Sequence, residues 1–319
     1  MTVSNAEPAS PSVGSGRALT AGIVCYLIWG IVPLVFQAMG RLGISSWEIL
    51  ANRTVWAVPM ALGFVVWARQ GAEVRTAFRH PRNLAWLAIS ALLIAGNWSI
   101  YIWAVNSGRV LETALGYYIN PLIGMAAGAL IFRERIDRLG YLAIALAAGG
   151  VIVQAVAIGG LPIVSLALAL SFGAYGIVRK RVAVPAQAGL LVECLLLAGF
   201  GLAYVAWLQA KGAGHLGASW PATLWLLSCG PFTAVPLVLF AWAVRRIPLS
   251  SLGFLQFLGP TTGFIVGVAE GEQLSPLRAL SFVFIWGGAV VFAYAAWKRS
   301  RPALKATALK ATALAKPAE

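Results

Sequence analysis

The segment WAVNSGRVLETALGYYINPLIG at residues 103–124 recurs in altered form as WAVRRIPLSSLGFLQFLGPTTG at residues 242–263. A constant offset of 139 positions aligns the two copies, and further matches lie on both sides of them. A repeat of this length predicts two structurally similar halves. The matched residues are Trp103 with Trp242, Pro121 with Pro260, Glu134 with Glu272, Gly149 and Gly150 with Gly287 and Gly288, Gly30 with Gly176, and Glu48 with Glu193.

The composition predicts a membrane protein. Sixty per cent of the residues are hydrophobic, only 11% are charged, and the mean hydropathy is +0.82, whereas about a quarter of a soluble domain is charged. Because roughly 20 apolar residues cross a hydrocarbon core, the apolar runs predict ten transmembrane helices. The expected spans are 18–38, 47–68, 83–104, 110–132, 140–157, 162–178, 188–208, 222–243, 249–269 and 277–297.

The basic residues predict the orientation of these spans. Nineteen of the 24 Lys and Arg residues fall in the termini and alternate connections, and four fall in the opposite connections. The positive-inside rule then places both termini in the cytoplasm. Since each half holds five helices, the second half enters the membrane from the opposite side. The expected fold class is an all-α membrane protein with ten transmembrane helices in two inverted five-helix repeats, and its charge of +14 calls for no nucleic-acid partner.

The same pattern divides the chain into four parts. Residues 17–157 are expected to form the first repeat and residues 158–300 the second. The polar leader at 1–16 is expected to be disordered. The basic tail at 301–319, which repeats LKATA, is also expected to be disordered and solvated.

Inverted repeats favour transport by alternating access around a site near the membrane midplane. Asn120-Pro121 and Gly259-Pro260 each lie about halfway along a predicted span. Proline leaves an upstream carbonyl without its helical partner, so we expect helix breaks that expose polar backbone at membrane depth. Packing kinks without a ligand role are the alternative.

Five segments carry a resemblance to a known family. The sequence NWSIYIWAVNSGRVLETALGYYINPL, the turn FRERIDRLG, and the segments WEILANRTVW, LSFGAYGIVRK and LQFLGP resemble the RarD branch of the EamA-type transporters, within the drug/metabolite transporter superfamily. The resemblance covers roughly residues 17–300. It implies ten helices in two inverted repeats and a permease of the bacterial inner membrane.

Charged residues inside spans are the first candidates for a site, because each costs about 2.5–3.5 kcal/mol near the membrane centre unless it faces a cavity or a partner. Arg53 and Glu112 are the candidates, with a salt bridge between helices as the alternative role. We expect Glu112 to enter the cavity from its mouth and to exchange a proton, unless Arg53 or another cation neutralises it. A proton is therefore a candidate coupling ion.

Aromatic and amide side chains complete the candidate substrate site, since they offer walls with polar edges and uncharged hydrogen-bonding groups. Hydrogen bonding between helices is the alternative role of the amides. Asn97, Glu112, Tyr117 and Asn120 are expected to line the outer half of one cavity. The substrate-binding candidates are Trp29, Arg53, Asn97, Trp98, Glu112, Tyr117, Tyr118, Asn120, Pro121, Gln256 and Pro260.

No catalytic, metal or cofactor motif is expected. The cysteines lack metal-ligand spacing, the two histidines fall in predicted loops, and no nucleotide-binding loop is present. The favoured function is secondary transport of a small organic metabolite or drug-like compound, directed outward by family analogy. A membrane enzyme acting on lipid and a non-transporting scaffold are the alternatives.

Overall fold

The structure is a computed structural model that describes residues 14–132, 137–244 and 255–314. These residues form eleven helices, and no strand occurs among them. The helices are α1 Gly14–Arg41, α2 Ser46–Trp67, α3 Gly71–Arg79, α4 Pro81–Asn106, α5 Val110–Phe132, α6 Arg138–Ile158, α7 Ile163–Arg181, α8 Ala186–Ala210, α9 Trp220–Val244, α10 Leu258–Ala269 and α11 Pro276–Leu314.

Local sequence signals set several helix ends. The hydroxyl of Ser45 accepts the backbone N–H of Glu48 at 3.2 Å, and the carboxylate of Asp137 accepts that of Gly140 at 2.9 Å. Both are N-caps, which satisfy a donor that has no partner inside the helix. Gly159 ends α6 with φ of +67°, a left-handed conformation that glycine adopts without steric cost.

Within the described ranges, six helices are long and apolar enough to cross a membrane. They are α1, α2, α4, α6, α8 and the first part of α11, up to Ala295. Six of the predicted spans fall on these helices, and the other four fall on α5, α7, α9 and α10. Residues 249–254 of the ninth predicted span lie outside the described residues.

The structure departs from the sequence predictions in three places. α5 is continuous through Asn120 and Pro121, so the expected break is absent there, whereas α10 begins at Leu258 after a turn at Gln256 and Phe257. The predicted cytoplasmic loop 69–82 contains α3. α11 continues to Leu314, so residues 301–314 have a helical backbone instead of the expected disorder. Of the predicted leader, residues 1–13 lie outside the described residues.

α3 packs against α4 and α8 through its apolar face. Ala77 is fully buried there with Leu87 and Val192, and Val74 packs beside them. Its other residues are largely polar and exposed. Nine residues make too short an apolar pattern to stand out from a loop in the sequence.

α2 packs along α8 in an antiparallel direction. Gln70, just beyond the end of α2, donates to Gln187 at 3.0 Å and accepts the N–H of Ala188 at 3.2 Å, at the start of α8. At the opposite end, the N–H of His215, beyond α8, donates to Glu48 in the first turn of α2 at 2.7 Å. These two contacts fix the relative direction of the helices.

α6 and α11 also pack antiparallel, through glycines that the sequence repeat matches. A Cβ built on Gly150 would lie 2.9 Å from the carbonyl oxygen of Ser281. A Cβ built on Gly288 would lie 3.0 Å from the carbonyl oxygen of Ala143. The same offset of 138 positions relates the two glycines and the two carbonyls, so the contact is reciprocal.

Candidate functional site

Arg53 of α2 is buried, with 9% of its surface exposed. Its guanidinium carbon lies 4.2 Å from the centroid of the Trp98 ring and 5.6 Å from that of Phe36. The Tyr101 ring meets that of Phe36 edge-on, with the centroids 6.1 Å apart, and meets that of Tyr117 at 5.5 Å. α1, α2, α4 and α5 therefore meet around this cation.

No carboxylate pairs with Arg53 among the residues that the structure describes. Its Nε atom is buried and has no hydrogen-bond partner. Glu48, five residues earlier on α2, bonds to His215 instead. Glu112, the carboxylate that the sequence analysis considered with Arg53, bonds to Arg109. Arg53 thus lies near rings and hydroxyls but lacks a counter-ion within the described ranges.

Asn97 of α4 is fully buried and joins three helices. Its amide nitrogen donates to the carbonyl of Leu168 at 3.0 Å and to the hydroxyl of Ser171 at 2.9 Å, both on α7. Its amide oxygen accepts the hydroxyl of Tyr117 on α5 at 3.1 Å. The structure therefore brings Asn97 and Tyr117 together, in the interhelical bonding that the sequence left as the alternative.

Glu112 lies in the first turn of α5 and is held by its neighbour Arg109. Arg109 donates through Nε at 2.8 Å and through a terminal nitrogen at 3.1 Å to the two carboxylate oxygens. Tyr117 is five residues farther along α5, about 7.5 Å along the helix axis. No bond joins Glu112 to Asn97 or Asn120 in the described part of the chain. The Glu112 carboxylate therefore forms a local ion pair with Arg109.

Asn120 is 6% exposed, and its amide oxygen has no hydrogen-bond partner. An unpaired oxygen inside a membrane helix bundle is unfavourable. This residue therefore differs from the fully paired Asn97. The side chain of Pro121, the next candidate, is not among the described side chains.

Tyr118 points toward α10 and α11 rather than toward the Arg53 region. Its hydroxyl donates to Thr261, whose own hydroxyl donates to the carbonyl of Phe257. Its ring stacks on Phe257 with the centroids 6.2 Å apart and meets Trp286 edge-on at 6.4 Å. Pro260 is buried in the first turn of α10.

Trp29 packs with aromatic rings of α1 and α9 instead of with Arg53, and Gln256 lies in a turn. The Trp29 ring packs edge-on against Tyr26 at 5.4 Å and beside Phe240 of α9 at 6.0 Å. Gln256 is half-buried in the turn before α10. Of the eleven sequence candidates, contacts therefore join Arg53 with Trp98, and Asn97 with Tyr117.

A polar cavity of about 570 Å³ opens at the end of the bundle that holds the loops after α1, α4 and α10. The sequence candidates did not include the residues around it. Buried amide oxygens of Gln37 and Asn106 face no hydrogen-bond partner. Glu270 and Glu272 also line this cavity, and Arg41 pairs with Glu270 at 2.6 Å.

Glu272 caps α5 from the loop that follows α10. Its carboxylate accepts the backbone N–H groups of Val110 and Leu111, the second at 3.0 Å. Burial raises the pKa of the Glu272 carboxyl, and these two donors and Arg278 oppose that rise. The match of this glutamate with Glu134 in the repeat was the signal that could have identified it.

Glu193 is buried near the start of α8 and has three partners. The hydroxyl of Ser90 donates to it at 2.5 Å, and that of Tyr175 at 3.4 Å. Arg179 of α7 lies 3.5 Å away. Glu193 and its repeat match Glu48 thus each tie a helix start to another element. Because α2 and α8 are antiparallel, the two glutamates lie toward opposite ends of the bundle.

The described residues contain no group of His, Cys, Asp and Glu arranged to hold a metal ion. The three cysteines are buried and unpaired. His215, which the sequence placed in a loop, is bonded to Glu48 through its ring at 2.8 Å.

Comparison with known proteins gives concordant matches. The profile of the EamA-like transporter family matches residues 16–155. An uncharacterized transporter of Pseudomonas aeruginosa is 41% identical over 288 residues, which cover 89% of this chain and 96% of that protein. Protein RarD of Escherichia coli is 38% identical over 278 residues, covering 86% and 93%. One crystal structure shares the fold with a TM-score of 0.57 at 20% identity, covering 90% of this chain and 98% of that one.

Proposed function

Because the chain belongs to the RarD branch of the EamA-type transporters, a family of multi-pass membrane proteins, we propose that it moves a small organic metabolite across the bacterial inner membrane by alternating access. The transport is secondary, driven by a gradient or by exchange, and runs outward. Both termini lie in the cytoplasm. The names of the relatives support a transporter over a membrane enzyme.

The architecture proposed for this activity is ten transmembrane helices in two inverted repeats. The repeat relates α1 to α7, α2 to α8, α4 to α9, α5 to α10 and α6 to α11. Under this exchange the main helix contacts map onto one another: α1 with α9 becomes α7 with α4, α2 with α9 becomes α8 with α4, and α5 with α7 becomes α10 with α1. The pairs α2–α8, α5–α10 and α6–α11 map onto themselves.

The reciprocal contact of Gly150 and Gly288 is the observation that carries the proposal most directly. Equivalent residues that contact each other's helix in the same way, along antiparallel helices, are what a twofold axis in the membrane plane requires. Two halves related in this way can rock about a central site and open it to either side in turn. A scaffold without transport has no need of such a relation.

Counterflow into proteoliposomes tests this function without knowledge of the energy source. Vesicles with purified protein are loaded with an unlabelled bacterial metabolite extract and diluted into the same extract labelled with carbon-14. Transient accumulation of label above that in protein-free vesicles is expected, because a carrier exchanges internal for external substrate. Equal label in both kinds of vesicle would contradict transport of a metabolite present in the extract.

A further inference from the structure

The space between α1, α2 and α4 holds a buried cation whose counter-ion is missing from the described residues. Arg53 is buried, its Nε donor is unpaired, and Glu48 and Glu112 bond to other residues. A buried charge without a partner is unfavourable at membrane depth. A role in a salt bridge between helices would require a carboxylate beside Arg53, and the described residues supply none.

The rings beside Arg53 stabilise it without using its hydrogen-bond donors. Trp98 and Phe36 interact with the guanidinium through their π faces. The five N–H donors of a guanidinium lie in its plane, along the edge, where they match a planar carboxylate. The unpaired Nε is one of these edge donors. The geometry therefore holds the cation in place while one edge donor remains unpaired.

The neighbouring polar groups do not neutralise the charge. Tyr117 directs its hydroxyl hydrogen to Asn97, and the Tyr101 ring packs between those of Phe36 and Tyr117. These groups are dipoles without a formal negative charge. An anion that enters between the helices would be the first formal counter-ion of Arg53 within the described part of the chain.

The internal repeat does not duplicate this cation. At the offset that matches Glu48 with Glu193, the residue equivalent to Arg53 is Ala198, which is buried on α8. The glutamates shared by both halves have bonded partners at opposite ends of the bundle. If the cation were needed for the packing of each repeat, both halves would carry one. A single cation is sufficient to bind one charged group of a ligand.

We propose that Arg53 binds the carboxylate of the transported molecule, and that the substrate is a small organic anion with one net negative charge. The inference rests on the proposed transport function and adds the substrate class. A zwitterion would leave its ammonium group without a carboxylate partner near Arg53. A phosphate monoester carries close to two charges at neutral pH, which one guanidinium does not balance.

Fractionation of the labelled extract tests the charge of the substrate. A strong anion-exchange resin at pH 7 separates a retained, net anionic fraction from an unretained fraction, and each is used in counterflow with wild-type protein. Half of the retained fraction is first treated with alkaline phosphatase. We expect accumulation from the retained fraction only, and we expect it to survive phosphatase treatment.

Each other outcome identifies which statement fails. Accumulation from the unretained fraction alone would overturn the anionic substrate while supporting transport. Loss of the signal after phosphatase would replace the carboxylate by a phosphate and overturn the proposal. Accumulation from neither fraction would contradict the proposed transport function and therefore also the proposed substrate class.

Variants of Arg53 test its role with a matched control. Arg53→Gln removes the charge, and we expect it to reduce counterflow from the retained fraction roughly tenfold or more, since losing one partner of a buried charge pair is expensive. Arg138→Gln removes one charge from an exposed position at the start of α6 and is expected to leave counterflow unchanged. Equal counterflow by Arg53→Gln and wild type would overturn the assignment.

Thermal unfolding separates recognition from structural support. Arg53→Met keeps an unbranched side chain and removes the charge, so the midpoint in the absence of substrate is expected to stay equal or rise. The retained fraction is expected to raise the midpoint of wild type but not that of Arg53→Met. A large fall in the midpoint of Arg53→Met without substrate would assign Arg53 to the scaffold and overturn the proposal.

Discussion

Gly150 and Gly288 occupy equivalent positions in the contact between α6 and α11, and each faces a backbone carbonyl of the opposite helix. We expect Gly150→Ala to destabilise the protein, because its Cβ would lie 2.5 Å from a side-chain carbon of Ile285 and 2.9 Å from the Ser281 carbonyl. Overpacking of this kind costs about 1–3 kcal/mol. The measurement is the thermal unfolding midpoint in detergent.

Gly287→Ala is the matched control for that prediction. Its Cβ would lie 3.8 Å from Leu146, which is ordinary van der Waals contact, and alanine gains about 1 kcal/mol of helix propensity over glycine. Its midpoint is expected to be equal to or above that of wild type. Equal midpoints for the two variants would show that α6 and α11 are not packed this closely.

The two buried asparagines are expected to respond oppositely to replacement by leucine. Asn97→Leu removes three hydrogen bonds and leaves the Leu168 carbonyl and the Tyr117 hydroxyl without this partner, at a cost of about 1–3 kcal/mol. Asn120→Leu removes an amide oxygen that is already unpaired, so it is expected to be neutral or stabilising. Unfolding midpoints of both variants, measured side by side, provide the check.

If Asn120 contacts substrate, its replacement should reduce counterflow even though the protein is stable. A stable and fully active Asn120→Leu variant would remove this residue from the substrate path. A stability loss as large as that of Asn97→Leu would instead show that the Asn120 amide has a bonding partner.

Much of the helical framework was predictable, because apolar runs of membrane length identify helices through composition alone. The repeat matched Glu272 with Glu134, although it did not reveal that Glu272 caps α5. The pairing of Arg53 with Trp98 was not predictable, since the two residues lie on different helices and no local pattern relates them. The continuous α5 also differs from the expectation, because a helix can accommodate proline through a kink and neighbouring groups.

Glu272 and Glu270 lie two residues apart in one loop, so a variant of Glu270 serves as the control for a variant of Glu272. Glu272→Ala would leave the Val110 and Leu111 N–H groups without their capping acceptor, and we expect a loss of about 1–2 kcal/mol. Glu270→Ala removes a largely exposed ion pair with Arg41, which contributes less than about 1 kcal/mol. Chemical unfolding in mixed detergent micelles measures both losses, and a larger loss for Glu270→Ala would contradict the cap.

The ion pair of Arg109 and Glu112 bears on proton coupling. Two hydrogen bonds hold the carboxylate, so Glu112→Gln and Arg109→Gln are expected to destabilise the start of α5 by similar small amounts and to leave pH-driven transport intact. The coupling energy in a double-mutant cycle is expected to be about 0.5–1 kcal/mol, because Arg109 is partly exposed.

A different result would support the sequence prediction that Glu112 is the coupling residue. In that case Glu112→Gln would retain counterflow at equal pH and lose accumulation driven by a pH gradient, while Arg109→Gln would keep both. Proteoliposomes with an imposed pH gradient distinguish the two outcomes.

The distribution of basic residues makes a prediction about topology. Green fluorescent protein fused after residue 75 or after residue 319 should fluoresce, because both sites are expected in the cytoplasm. Alkaline phosphatase fused after residue 212, beyond α8, should be active, because that connection is expected on the periplasmic side and the enzyme is active only there. Phosphatase activity at the C-terminus would contradict both the ten-span count and the inverted repeat.

The position of Arg53 also has a consequence for biosynthesis. α2 has the lowest mean hydropathy of the six clear spans, 1.5, and it is synthesised roughly 120 residues before its main packing partner α8 begins. At about 5–20 residues per second, the arginine waits roughly 6–24 s for that partner. α4 emerges much sooner and brings Trp98 to the guanidinium. Because α4 is translated before α8, α4 is the first helix that can stabilise the Arg53 charge while the protein is still being synthesised.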